Sequence, residues 1–192
     1  AHAALLGEVW TGAAKGIQDA FMLTLGTGVG GAIWSGGRLL KGNIGRAGHL
    51  GHISTDVNAA CDLFGTPGSL EAAIGNQTIH LRGEGRYATT LDLLAAYAAG
   101  DAQAERVWLT SVRHLAAAIA SLINVLDPEV IIIGGGIAVG AGERLFGPLQ
   151  RMLDQFEWRP GGQQARIVPA ALGDSAGCLG AVFQLLNDAT DT

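Results

Sequence analysis

Two glycine-rich segments, each directly after a run of apolar residues, constrain this chain more than any other feature. Residues 26–31 follow the apolar run 21–25, and residues 134–136 follow the β-branched run 130–133. A short uninterrupted apolar run is typical of a strand that is buried on both faces. Glycine lets backbone N–H groups approach a ligand without a Cβ in the way. The pattern therefore predicts an α/β fold in which two strands end in glycine loops at a ligand-binding edge.

The other predicted elements complete this fold class. A hairpin signal at Ser35-Gly36-Gly37 follows the first loop, and residues 52–55 are a candidate third strand. Asp101 is a good N-cap for the longest predicted helix, which Pro128 ends. Strands and helices then alternate, which predicts a mixed sheet flanked by helices. Further helices are predicted at residues 3–15, 69–74, 90–99, 143–156 and 174–186, and a further strand at residues 165–168.

Composition excludes several classes of protein. Hydrophobic residues make up 48% of the 192 and charged residues 15%, which indicates a folded domain. The net charge of -5 provides no basic field for nucleic acid. No apolar run approaches the roughly 20 residues that span a bilayer, so we expect no membrane segment. Cys61 and Cys178 make no disulfide framework, and we expect a cytoplasmic protein.

The first glycine loop is open to three interpretations. Gly26, Thr27, Gly28 and Gly30 could form a polyphosphate cradle, with the Thr27 hydroxyl as a further donor. Alternatively, the loop is a tight hairpin that needs positive φ angles and has no ligand. Gly26, Gly28 and Gly31 also satisfy the G-x-G-x-x-G dinucleotide pattern. That pattern requires a helix to follow, whereas the sequence here predicts a hairpin.

The second glycine loop comprises Gly134, Gly135 and Gly136. A flat purine ring could lie over such bare backbone. The alternative is a tight strand-to-helix turn without a ligand, although such a turn seldom needs three successive glycines. Two loops of this kind in one domain favour a nucleotide site that both of them line.

With both loops and the segment between them considered together, the chain resembles the ROK family of bacterial sugar kinases and related repressors over nearly its whole length. The resemblance implies a ribonuclease-H-like lobe of the actin-like ATPase fold. It also implies binding of ATP with Mg²⁺ at the glycine loops. The motifs that carry it are LTLGTGVGGAI at residues 23–33, AGHLGHI at 47–53, GTPGSLEAAIGN at 65–76, EVIIIGGGIA at 129–138, and residues 173–181.

The resemblance further implies the substrate and its ligands. His49, His52 and Glu71 would bind the hydroxyl groups of a hexose or an N-acetylhexosamine, and the protein would be a homo-oligomer. The implied function is ATP-dependent phosphorylation of that sugar. Two alternatives remain open: the sugar-sensing domain of a ROK-type transcriptional repressor, and an assembly module whose glycine loops are only turns. From the sequence alone, a favourable charge at a helix start is the preferred explanation of Glu71.

Two departures from the family pattern concern the histidines. Many family members hold a structural zinc, but Asp62, Phe64 and Ser69 stand at three of its ligand positions. We therefore expect no zinc at His52. The second departure is His49, where the family usually has Glu, which leaves the sugar preference open. An H-x-x-H metal site of His49 and His52, completed by Asp56 or Cys61, is the alternative interpretation.

The start of the chain gives a further expectation. The chain begins without Met, inside a predicted helix. By resemblance, the family's catalytic Asp would lie immediately before Ala1, and another lobe would lie further upstream. We therefore expect residues 1–192 to be a single C-terminal lobe that is inactive on its own.

Overall fold

Five strands form one mixed sheet in the computed structural model, which describes residues 1–190. The strands are β1 (Ala20–Leu25), β2 (Val29–Ser35), β3 (Arg38–Leu39), β4 (Val130–Gly134) and β5 (Arg166–Pro169). Their order is β3-β2-β1-β4-β5. The first three strands form an antiparallel meander, and β4 and β5 run parallel to β1. The predicted mixed sheet and the hairpin at residues 35–37 are confirmed.

Helices cover both faces of this sheet. They are α1 (His2–Thr11), α2 (Leu70–Ile74), α3 (Ile79–Arg82), α4 (Thr90–Ala98), α5 (Ala102–Leu126), α6 (Gly136–Ala141), α7 (Glu143–Phe156) and α8 (Ala176–Thr190). Asp101 caps α5, since its side chain accepts the N–H groups of Gln103 and Ala104. Asp127, in the left-handed conformation, terminates α5 just before Pro128.

The alternation of side chains along β1 and β4 explains why both strands are almost entirely apolar. Phe21, Leu23, Ile131 and Ile133 belong to the larger core, on the face that α5 covers. Even-numbered residues such as Met22 belong to a second core on the other face, with Leu5 of α1. Because successive side chains of a strand point to opposite faces, a strand buried on both faces has no polar position. The 25-residue α5 has the length and composition of a membrane span, but half of its most apolar window is buried within the fold.

Close packing joins α1 to α8. A Cβ on Gly180 would overlap the backbone of Ala3, so this glycine allows the two helices to approach closely. Gly177, three residues earlier on α8, has open space at its Cβ position. Nearby, the fully buried Glu8 accepts the N–H groups of Ala171 and Leu172 at 2.9 and 3.0 Å. These bonds satisfy a charge that would otherwise be costly to bury.

One predicted strand is wrong. Residues 52–55 do not join the sheet; Leu50–His52 is a 3-10 helix, and Ser54 makes an isolated bridge with Ser69. The partner segment enters α2 directly after Ser69, so the ladder cannot extend. The loop between these two segments instead folds back on itself near the edge of the sheet that carries the glycine loops.

Candidate functional site

The first glycine loop connects β1 to β2 and is held by backbone hydrogen bonds. The Gly26 N–H donates to the Gly28 carbonyl at 2.9 Å. The carbonyls of Gly26 and Thr27 accept the N–H groups of Asn76 and Gln77, each at 2.9 Å. The N–H groups of Thr27 and Gly28 have no hydrogen bond to any described residue. The loop is therefore fixed in place while two of its donors remain available.

The φ angles of this loop and the strand that follows it exclude two of its interpretations. Gly26, Gly28 and Gly30 are absent from the described residues with positive φ, so the hairpin that needs positive φ angles is wrong. At Gly28 the constraint is local packing, because a Cβ there would overlap the Glu71 carboxylate unless that side chain moved. A strand, not a helix, follows the loop, so the dinucleotide pattern lacks the helix that it requires.

The second glycine loop lies beside the first. Gly134 ends β4 opposite Thr24 of β1. Gly135 has a φ of 90°, and a Cβ on it would overlap the backbone of Leu25. Gly136 begins α6 and has open space at its Cβ position. The close contact of Gly135 with Leu25 brings the two loops together at one edge of the sheet, as the sequence predicts.

Glu71 lies across from the first loop on α2, whose N-cap is Ser69. Its Oε2 accepts the Val29 N–H at 3.0 Å, and its Oε1 accepts the Gln77 side-chain amide at 2.8 Å. Each carboxylate oxygen has a further lone pair. Glu71 therefore links α2 to the start of β2 and can still accept hydrogen bonds from a ligand.

The two histidines of the segment 47–53 lie side by side. The rings of His49 and His52 have centroids 6.3 Å apart and an interplanar angle of 14°. Phe64 meets the His52 ring edge-on at 5.0 Å. On the other side, the His2 ring lies 6.4 Å from His49, and its Nε2 is 3.2 Å from the Ala47 carbonyl oxygen. No local pattern in the sequence shows that α1 begins beside this loop, so His2 could not be placed here from the sequence.

The two glycine loops, Glu71 and the two histidines enclose a cleft of about 450 Å³, which we call the glycine cleft. It brings together most of the residues that the sequence singled out. Gly134 is buried beneath it, and Gly136 does not line it. Thr24, Gln77, Leu63 and Phe64 line it without having been predicted, since their neighbours come from distant segments. The predicted residues that line it are Gly26, Thr27, Gly28, Gly30, Gly135, His49, His52 and Glu71.

The positions implied for a zinc do converge, but their residues do not fit the metal. Asp62 Oδ1 accepts the N–H groups of Phe64 and Thr66, each at 2.9 Å. Asp62 Oδ2 lies 3.9 Å from His52 Nδ1 and is buried without a hydrogen-bond partner at normal distance. The Phe64 side chain has no donor atom and Ser69 offers only a neutral hydroxyl, so a tetrahedral site would lack ligands. Among residues 1–190, no group of three or more His, Cys, Asp or Glu side chains is arranged to hold a metal ion.

Asp62 instead organises the loop as a carboxylate. The nearby Ser69 hydroxyl lowers the pKa of Asp62 most; burial opposes it, and the N–H groups of Thr66 and Phe64 and the His52 ring lower it further. The charged form is therefore the one that the loop stabilises.

Comparison with known proteins agrees with this architecture. The model of the ROK family matches residues 1–188. A glucokinase from Thermotoga maritima is 35% identical over 198 residues, which cover 94% of this chain and 62% of that protein. The ROK hexokinase of Thermus thermophilus has a TM-score of 0.91 at 33% identity, covering 100% of this chain and 65% of the other.

A third similar protein was solved with ligands. The ROK glucokinase of Streptomyces griseus, in complex with glucose and AMPPNP, has a TM-score of 0.77 at 30% identity. The match covers 94% of this chain and 64% of that one. The chain thus spans less than two thirds of the length of each of these relatives. Since the family model matches nearly every residue and solved members share the fold, the chain belongs to the ROK family.

Proposed function

We propose that this chain is the sugar- and nucleotide-binding lobe of an ATP-dependent sugar kinase. The observation that carries the proposal is the single cleft that both glycine loops line together with His49, His52 and Glu71. A kinase must hold a nucleoside polyphosphate and an acceptor hydroxyl close together. A cleft with bare backbone on one side and polar side chains on the other meets that requirement.

The backbone side suits a polyphosphate. The available N–H groups of Thr27 and Gly28 point to phosphate binding, as does the exposed Thr27. Gly26 and Gly136 have neither positive φ nor a neighbour that a Cβ would meet. Within residues 1–190 nothing requires glycine at Gly26, which lines the cleft, whereas a nucleotide against the loop would. Mg²⁺ bound to the nucleotide would neutralise charge on its phosphates.

The side-chain part suits a sugar. His49 and His52 each offer one donor and one acceptor when neutral, and Glu71 retains acceptor capacity. Of the described residues that line the cleft, Glu71 is the one carboxylate, and both of its oxygens already accept hydrogen bonds. We therefore assign binding to these residues and assign the proton-accepting carboxylate to none of them. The substrate class is a hexose or an N-acetylhexosamine, and use of ATP fits a cytoplasmic location.

Calorimetry on the chain tests this assignment. We expect AMPPNP with Mg²⁺ to bind, and Gly26→Val to weaken that binding at least about tenfold, because the new side chain would occupy cleft space. Gly147→Ala is the matched control, since Gly147 lies in α7 with only ordinary contact at its Cβ position. Equal nucleotide affinity in Gly26→Val and in the unaltered chain would remove the loop from the nucleotide site.

The same method separates the sugar ligands. We expect glucose or N-acetylmannosamine to bind, and His52→Ala to weaken the sugar while leaving AMPPNP affinity unchanged. Binding of nucleotide without any of these sugars would contradict the kinase assignment and favour a nucleotide-binding assembly module. Binding of a sugar without nucleotide would favour the sugar sensor of a repressor.

A further inference from the structure

A second cavity lies behind α2, between α5 and the loop that leads into α2. Its volume is about 440 Å³, and none of the described residues that line it also lines the glycine cleft. Small side chains make much of its wall, among them Ala60, Ala72 and Ala73. A volume in this range accommodates a small-molecule ligand.

Arg82 lines this cavity, and its guanidinium has no counter-ion among the described residues. Its Nε donates to Thr78 Oγ1 at 3.3 Å, one Nη to Ser111 Oγ at 2.6 Å, and the other Nη to the Gly75 carbonyl at 2.7 Å. All three acceptors are neutral. Since a guanidinium has five N–H groups, two have no partner among residues 1–190, and no described carboxylate pairs with Arg82. Burial lowers the pKa of Arg82 to about 10.

A second guanidinium stands at the mouth of the cavity. Arg106 is exposed and precedes Thr110 by one turn of α5, so both lie on the face that lines the cavity. No ion pair to Arg106 is formed within the described part of the chain. Two cations thus meet at one cavity in a chain whose net charge is -5.

The remaining titratable groups do not cancel this charge. Burial lowers the pKa of His114 most; Asp56 opposes the shift, and the charges of Arg82 and Arg113 add to it. His114 is therefore neutral at pH 7 and offers only hydrogen bonds. Asp56 is the one carboxylate among the described residues that line the cavity. Two guanidinium groups against one carboxylate leave an excess of positive charge.

We propose that this cavity binds a small organic anion. Its acidic group, a carboxylate or a phosphate monoester, accepts the spare N–H groups of Arg82 and those of Arg106, since guanidinium groups match such anions geometrically. Its apolar body packs against Ala72 and Ala73. The site shares no described lining residue with the glycine cleft, so anion binding here does not depend on the kinase assignment.

Amide NMR on the ¹⁵N-labelled chain tests the site with three probes of similar shape: benzoate, phenyl phosphate and the neutral benzamide. We expect at least one of the two anions to give saturable shifts in the amide signals of Ala72, Ala73 and Thr110. Binding of benzoate would identify the ligand's acidic group as a carboxylate, and binding of phenyl phosphate would identify it as a phosphate. Benzamide should bind at least about tenfold more weakly, because it lacks the charge that the guanidinium groups pair with. Arg106→Gln should weaken the anion at least about fivefold.

The control variant is Arg113→Gln, on the same helix, whose guanidinium lies over the Phe156 ring at 5.0 Å and does not line the cavity. It should leave anion affinity unchanged.

Ala73→Leu, which fills the cavity without removing a charge, should abolish binding in a folded chain. The proposal is overturned by any of four results: no saturable shift with either anion, equal affinity for benzamide, unchanged affinity in Arg106→Gln, or shifts confined to Thr27 and Gly28. Cavity shifts that depend on protein concentration alone would show that a second copy covers it, and would also overturn the proposal.

Discussion

The two walls of the glycine cleft are built in different ways. One, the backbone wall, consists of residues 24–30 and Gly135, and it is held by the sheet and by hydrogen bonds to Asn76 and Gln77. The other, the side-chain wall, consists of His49, His52, Leu63 and Phe64. It is held by a loop in which the Asp62 carboxylate accepts two backbone N–H groups. We therefore expect changes in the backbone wall to cost more stability than changes in the exposed side chains of the other wall.

The largest effect is expected at Gly135. Gly135→Ala should cost roughly 3 kcal/mol in free energy of unfolding, because the new Cβ would meet the Leu25 backbone at a φ that L-residues rarely adopt. Denaturant unfolding measures this loss. Gly136→Ala is the adjacent control, with open space and ordinary φ, and should lie within about 0.5 kcal/mol of the unaltered chain. Equal stability of the two variants would show that the contact between Gly135 and Leu25 does not constrain the backbone wall.

Asp62→Ala should have the next largest effect, about 2 kcal/mol, because it leaves the N–H groups of Phe64 and Thr66 without their acceptor. Asp62→Asn retains one acceptor oxygen and should lose about half as much. The same denaturant titration resolves the two. If Asp62→Ala were as stable as the unaltered chain, the loop would not depend on this carboxylate.

Acid titration sharpens the role of Asp62 further. Its pKa is lowered in the folded state, so its contribution to stability is present above its unfolded pKa and is lost as pH falls through the lower folded value. Between these two values, the unfolding free energy of the unaltered chain should therefore fall with decreasing pH more steeply than that of Asp62→Asn. Parallel pH curves for the two proteins would contradict the assignment.

Glu71→Gln should cost about 1 kcal/mol, because the bond to the Val29 N–H can persist while the amide faces the Gln77 donor. Glucose affinity should fall by more than this change in stability suggests, since the variant loses a charged acceptor. Unfolding and calorimetry on the same preparation give both values. An unaltered glucose affinity would exclude Glu71 from the sugar site.

The smallest effect on folding is expected for His49→Gln. His49 is exposed, so the free energy of unfolding should change by less than about 0.5 kcal/mol. Calorimetry should nevertheless show weaker sugar binding. A large loss of stability here would show that the side-chain wall is part of the core after all.

The candidate site was predictable from the sequence to different degrees in the two walls. The backbone wall follows from a local signal, an apolar run that ends in glycines. His49, His52 and Glu71 were assigned by resemblance, and the structure adds that they line the same cleft. Their binding roles, the homo-oligomer and the single-lobe organisation stay predictions. No local pattern could have shown His2 or Phe64 beside them, since their proximity depends on how α1 and the loop before α2 pack.

Sequence alone determined the elements whose signals lie within a few residues. The apolar run of β4, the Asp101 cap of α5 and the span of α7 (Glu143–Phe156) are of this kind, because periodicity and capping act over one or two turns. Only the tertiary structure decided contacts between distant residues. Glu8 accepts N–H groups 163 and 164 residues away. Such partners share no local period, so their geometry exists only once the sheet has brought the segments together.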